Sequence, residues 1–216
     1  MFSLDKIIFK LLFLPVILLA LTVHEFAHGY VAYLRGDRTA KDMGRLTLNP
    51  LPHIDIIGLL FLMFFNFGWA KPVPINPANF KTPKKDEIMV ALAGVTANLI
   101  CALCLGLLFR FADFSIFGQT GEIVQKFTAW GILINCGLAV FNLIPVPPLD
   151  GSHVLRELLP YRAAVKYIVF FSNPAVSWIL LGIFIFLPGL ITPFIIGPVL
   201  FLSKIFAGGG MLAWLY

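Results

Sequence analysis

Five apolar runs, each near the roughly 20 residues a helix needs to cross the hydrocarbon core of a bilayer, constrain this chain more than any other feature. They extend from Ile7 to Leu34, Ile88 to Phe109, Phe127 to Ile144, Val165 to Leu187 and Leu190 to Phe206. Only 12% of the 216 residues are charged, about half the share in an ordinary soluble domain, and mean hydropathy is +0.92. A soluble globular domain is therefore excluded. The expected fold class is an all-α membrane protein, a polytopic bundle of five to six transmembrane helices with a short re-entrant or β-containing loop after the first helix. The whole of residues 1–216 is read as a single membrane-embedded domain, and Pro15, Pro174 and Pro198 are expected to kink their helices. The formal charge of +5 reports cytoplasmic loops rather than affinity for nucleic acid. The lipid bilayer is the expected partner, and nucleic acid is not. The first run is too long for a cleaved signal peptide and reads as a retained signal-anchor helix.

One apolar segment, "IIGLLFLMFFNFGWA" at residues 56–70, is short for a span and suits a re-entrant or interfacial piece. If it crosses, six spans divide the 16 Lys and Arg ten against six. If it re-enters, five spans place Arg35, Arg38, Lys41, Arg45, Lys71, Lys81, Lys84, Lys85, Arg156, Arg162, Lys166 and Lys204 together, twelve against four. The positive-inside rule favours the sharper division. It predicts an outside N-terminus and a cytoplasmic C-terminus, although Lys6 and Lys10 then lie on the outer side.

Inside the first run stands "HEFAH". Residues four apart share a helix face about 6 Å apart along the axis, so His24 and His28 can ligate one metal ion with Glu25 beside them to handle a proton. Ionisable side chains are costly in a span and mark function there. A hydrolytic zinc site needs a third protein ligand and an open position for water. The chain offers His53 and Asp55 in "NPLPHIDIIG", and Asp150 and His153 in "FNLIPVPPLDGSH". Asp150 follows Pro145, Pro147 and Pro148, which end the preceding helix, and unwound backbone at membrane depth is tolerated where it lines a cavity. Cys101, Cys104 and Cys136 all fall in apolar runs and read as packing residues.

These motifs together resemble the site-2 protease family of intramembrane zinc metalloproteases. The family pattern of HExxH followed by N-x-x-P-x-P-x-L-D-G is met at His24, Glu25 and His28, then at Asn142, Pro145, Pro147, Leu149, Asp150 and Gly151. The middle helix is similar too, with Gly94 and Asn98 in "ALAGVTANL" and Val95 where the family usually has proline. "NPLPHIDIIG" and "GWAKPVPIN" resemble the loop of the compact prokaryotic branch, which lacks PDZ and CBS domains. The resemblance covers about residues 18–160 and leaves two accessory helices at about 165–206.

The resemblance implies one Zn2+ per chain held by His24, His28 and Asp150, Glu25 as general base, and Asn142 as an oxyanion stabiliser. His53 would contact substrate or the oxyanion, and Asn98 would support a ligand. The implied reaction is hydrolysis of a peptide bond in or near the transmembrane segment of a membrane protein substrate, at a prokaryotic plasma membrane, with the active site toward the cytoplasmic side. The rival readings are a divalent-metal transporter and a catalytically silent homologue that binds membrane partners. His153 and Asn135 read as structural. The alternating prolines of "KPVPIN" suit an edge strand, which could receive an unwound substrate by strand addition.

Overall fold

A computed structural model describes residues 4–65, 67–186 and 188–215. In chain order the helices are α1 (Leu4–Leu34), α2 (Thr39–Asp42), α3 (Ile56–Phe65), α4 (Pro83–Phe111), α5 (Gln119–Asn142), α6 (Asp150–Leu158), α7 (Tyr161–Phe170), α8 (Pro174–Phe186) and α9 (Pro188–Ala207), with short 3-10 turns between some of them. Among the described residues there is no strand, and the chain is an all-α membrane protein. The β content of the loop after α1 reduces to one antiparallel bridge between Ile54 and Ala70.

Three described helices, α1, α4 and α5, are long and apolar enough to cross a membrane. Two bent pairs raise the count to five if each is a span. The expected span from Val165 to Leu187 is one of them: α7 and α8 meet at 82°, and Leu187 itself lies outside the described residues. The break falls at "SNP". Pro174 is the first residue of α8 rather than a kink within a helix, a position where its missing N–H costs nothing. Pro15, by contrast, stands inside a continuous α1. α3 has 10 residues, about 15 Å at 1.5 Å per residue, half the hydrocarbon thickness. That length fits a segment that re-enters rather than crosses.

α4 is the centre of the bundle and packs against α1, α5, α6 and α9. Lipid tails are as apolar as leucine, so helices in a membrane associate through close van der Waals contact, which small residues permit. α4 carries such a stripe at Ala91, Gly94, Asn98, Ala102 and Gly106, all buried. α5 answers with Thr128, Gly131, Asn135 and Ala139. Cys136 is fully buried in this core while Cys104 is exposed, and all three cysteines are free.

The loops at one end of α1 are fastened by Asp37, which is 1% exposed. One carboxylate oxygen accepts from the Thr39 amide at 3.1 Å and the Asn79 side chain at 2.8 Å, and the other accepts from the Asn76 amide at 2.7 Å. The chain reaches Asp37 through Gly36, whose φ of +111° a side chain would strain. Burial alone would raise the Asp37 carboxyl, but the hydrogen bonds from Thr39, Asn76 and Asn79 outweigh it and hold it below its usual value. A depressed folded pKa contributes stability fully present above the unfolded value, about 3.9, and lost as pH falls through the folded one. Asp37→Ala, which leaves the amides of Asn76 and Thr39 without their acceptor, is expected to cost about 2–3 kcal/mol. In thermal denaturation of the detergent-purified protein, the gap between wild type and variant should stay constant above about pH 5 and shrink below pH 4.

Candidate metal centre

α1 places His24 and His28 one turn apart, 4% and 6% exposed. Their Nε2 atoms are 3.0 Å apart. Asp150 is the first residue of α6, and its Oδ2 lies 3.2 Å from each Nε2. The three residues form a buried cluster whose ligand atoms face one another. Two segments 122 residues apart in the chain thus meet at one point, because the prolines after Asn142 end α5 and turn the chain back toward α1.

The proton positions on the imidazoles follow from their other neighbours. His28 Nδ1 is 2.7 Å from the Val90 carbonyl, which can only accept, so Nδ1 carries the proton. His24 Nδ1 is 2.6 Å from Asn98 Oδ1. That oxygen is identified by the rest of the amide: Asn98 Nδ2 donates to the Ala20 carbonyl at 3.2 Å and to Asn135 Oδ1 at 2.8 Å, and Asn135 Nδ2 donates to the Gly131 carbonyl at 2.8 Å. Both Nδ1 atoms therefore donate, and in the neutral imidazoles, the form that ligates a metal, both Nε2 atoms present lone pairs. Asp150 Oδ2 is buried and has no hydrogen-bond donor. In that form three lone pairs converge on one point, an arrangement that repels itself unless a cation, a proton or a metal ion, sits at the focus. Ligands about 2.0–2.1 Å from a tetrahedral zinc stand about 3.3–3.4 Å from one another. The observed spacings of 3.0–3.2 Å fit that group with a few tenths of an ångström of relaxation.

Asn98 and Asn135 are thus one hydrogen-bonded chain from the α5 backbone to His24, fixing its ring in the way ligand-supporting groups do. Asn135 reads as structural from sequence, and the structure gives it this positioning role. Its only sequence signal is an amide inside an apolar span. Gly94 completes the arrangement. A Cβ there would lie on His28 Nε2 and 2.6–2.7 Å from the His24 ring, so α4 reaches the imidazoles only because residue 94 has no side chain.

A cavity of about 300 Å3 opens onto the cluster, lined also by Glu25, Asn142, Pro72, Val73 and His153. Glu25 Oε2 accepts from the Val73 amide at 2.8 Å, leaving the other oxygen free of that bond. Asn142 lines the cavity while its Nδ2 donates to the Leu138 carbonyl at 3.0 Å, so one of its two amide hydrogens is committed to its own helix. The remaining sequence candidates for a third ligand have other employment. Asp55 caps α3 by accepting from the Gly58 amide at 2.8 Å, and His153 Nδ1 is 3.1 Å from Glu87, which also pairs with Arg156. His53 is buried, 2% exposed, but is not among the residues lining this cavity. The "KPVPIN" segment is extended and borders the cavity without forming a strand. The amides of Lys71, Val73 and Asn76 go to the His53 carbonyl, Glu25 and Asp37.

Fold and site together define a class: a multi-pass helical membrane protein with a buried His-His-Asp centre and a glutamate at its edge. The profile of peptidase family M50 matches residues 111–187, which include Asn142 and Asp150. The chain is 37% identical to YwhC of Bacillus subtilis over 179 residues, 76% of this chain and 81% of that protein. It is 31% identical to Rip2 of Mycolicibacterium smegmatis over 148 residues, 66% of this chain and 55% of Rip2. With MJ0392 of Methanocaldococcus jannaschii it shares 28% over 153 residues, 71% of this chain and 34% of that protein. The names of all three include the words zinc metalloprotease. No solved structure matches the chain. The chain belongs to peptidase family M50, the site-2 protease family.

Proposed function

We propose that the chain is an intramembrane zinc endopeptidase that cleaves a peptide bond in or near the transmembrane segment of another membrane protein. The observation that carries the reading is the convergence of His24 Nε2, His28 Nε2 and Asp150 Oδ2 on one buried point beside Glu25. Those three residues hold one Zn2+ per chain. Bound there, zinc lowers the pKa of water to about 7 and polarises a carbonyl.

The protein's own groups do the rest. Glu25, anchored through one oxygen by the Val73 amide, takes the proton of the attacking water and delivers it to the leaving amine. Asn142 turns its uncommitted amide hydrogen to the developing oxyanion. His24 is kept in register by Asn98 and Asn135, and His28 by the Val90 carbonyl. A substrate helix must unwind at the site, because its carbonyls are otherwise hidden in backbone bonds. With Leu34 at the cytoplasmic end of α1, His28 and His24 lie about 9 and 15 Å along the helix from it, so water and product enter and leave on the cytoplasmic side of a prokaryotic plasma membrane.

Metal removal tests this reading. Elemental analysis of the purified protein should find one zinc per chain. Cleavage of membrane-protein substrates in proteoliposomes should drop to background after chelation with 1,10-phenanthroline and return on adding zinc. Cleavage that persists in the zinc-free protein overturns the proposal.

A further inference from the structure

A second cavity, of about 290 Å3, lies between α1, α5 and the loop from Pro50 to Ala70. It is walled almost entirely by apolar side chains. Three polar side chains reach it: Thr22, Asp55 and His53. The Thr22 hydroxyl donates to the Leu18 carbonyl, and Asp55 caps α3. His53 is different. Its Nε2 is 2.9 Å from the Thr47 carbonyl, which can only accept, so the proton is on Nε2. Nδ1 is then a lone-pair acceptor, buried and without a hydrogen-bond partner. A buried acceptor left unmatched in apolar surroundings costs free energy until a donor arrives, so a ligand in the cavity that parts the side chains covering Nδ1 and brings one N–H with much apolar surface relieves that cost.

The cavity adjoins the metal centre along three elements at once. On α1, Thr22 lines it and His24 lines the metal cavity. On α5 the corresponding neighbours are Phe141 and Asn142, and on the extended segment they are Ala70 and Pro72. Two residues of extended chain span about 7 Å, so a substrate held at the metal centre has residues within reach of this cavity. Resting on the protease reading above, we infer that this cavity is a specificity subsite. It takes a large apolar side chain two or three residues from the scissile bond, and His53 Nδ1 accepts the backbone N–H that unwinding the substrate helix exposes. An exposed amide at membrane depth has no water to bond. His53 thereby stabilises the unwound form and selects where unwinding occurs.

Gly137 gives a clean test. It lines the cavity, and a Cβ there meets nothing within 4 Å, so Gly137→Phe fills the space without forcing α5 away from its neighbours. The probe is a synthetic leucine-alanine transmembrane peptide with a central helix-breaking turn and photo-leucine at successive positions, reconstituted in liposomes with the Glu25→Gln chain. One position should crosslink to Trp69 or Leu138, and Gly137→Phe should abolish that crosslink. In the active chain, leucine at that position should be cleaved about tenfold faster than alanine as kcat/KM, and Gly137→Phe should bring the ratio to about one while zinc content is unchanged. His53→Leu should raise KM about tenfold, and His53→Gln, which restores an acceptor, should recover most of it. Crosslinks without any cleavage would leave the subsite standing and remove the protease reading. Cleavage with no leucine preference and no crosslink overturns the subsite. So does an acyl chain that co-purifies in the cavity and is expelled by Gly137→Phe while crosslinking persists.

Discussion

Replacing Glu25 with Gln is expected to reduce cleavage by about 10²–10⁴-fold, the usual worth of a positioned general base, while zinc stays at one per chain. Glutamine keeps the length of the side chain and an oxygen to accept from the Val73 amide, which Glu25 now does at 2.8 Å. The extended segment over the cavity therefore stays in place, and the ligand set of His24, His28 and Asp150 is untouched. What is lost is the ability to take a proton. Single-turnover cleavage in proteoliposomes and elemental analysis of the same sample separate the two quantities. A metal transporter or a silent binding protein would show no change, and unchanged cleavage would sink the proteolytic role of Glu25. Membrane-fraction proteomics comparing wild type with this variant would also identify the substrate, as the intact protein that accumulates when Glu25 is lost.

The parts of the molecule that could be read from sequence are those carried by period and composition. α1, α4 and α5 announce themselves as long apolar runs, and the four-residue spacing of His24 and His28 survives unchanged into the structure. Asp150 could be found because three prolines crowded into four residues, Pro145, Pro147 and Pro148, exclude helix just before it, whereas the single Pro15 leaves α1 continuous. The break between α7 and α8 was hidden, since Phe170, Phe171 and Val176 keep hydropathy high across "SNP" and apolarity does not record direction. The supporting groups were hidden for another reason. The partners of Glu25 and His28 are the backbone amide of Val73 and the backbone carbonyl of Val90, and every residue has such groups. "KPVPIN" shows both sides of this: alternating prolines correctly exclude helix, yet they do not say that the remaining amides bind Glu25, Asp37 and the His53 carbonyl instead of a neighbouring strand.

Gly94→Ala tests whether the metal site depends on how closely α4 approaches α1. A methyl group at residue 94 would overlap His28 Nε2 and come within 2.6–2.7 Å of the His24 ring, well inside ordinary van der Waals contact. Neither ring has anywhere to go: His24 is held by Asn98, His28 by the Val90 carbonyl, and both are buried. Relief requires moving α4, which carries Asn98 and Val90 with it, so the imidazoles lose their supports as well as their positions. Loss of one supporting group typically costs 10–100-fold in metal affinity, and here two are disturbed along with the ligands, so zinc affinity should fall by about 100-fold or more and cleavage with it. Gly106→Ala is the matching control. It sits on the same small-residue stripe, but its methyl would meet the Phe206 backbone on α9, three turns from the metal. That variant should lower thermal stability while keeping zinc, as read by competition against a chromophoric chelator. Equal zinc affinity in wild type and Gly94→Ala would mean that α4 does not set the spacing of the ligands. A loss confined to residue 94 would show that one missing side chain, in a helix that supplies no ligand, decides whether the two imidazoles can share a metal.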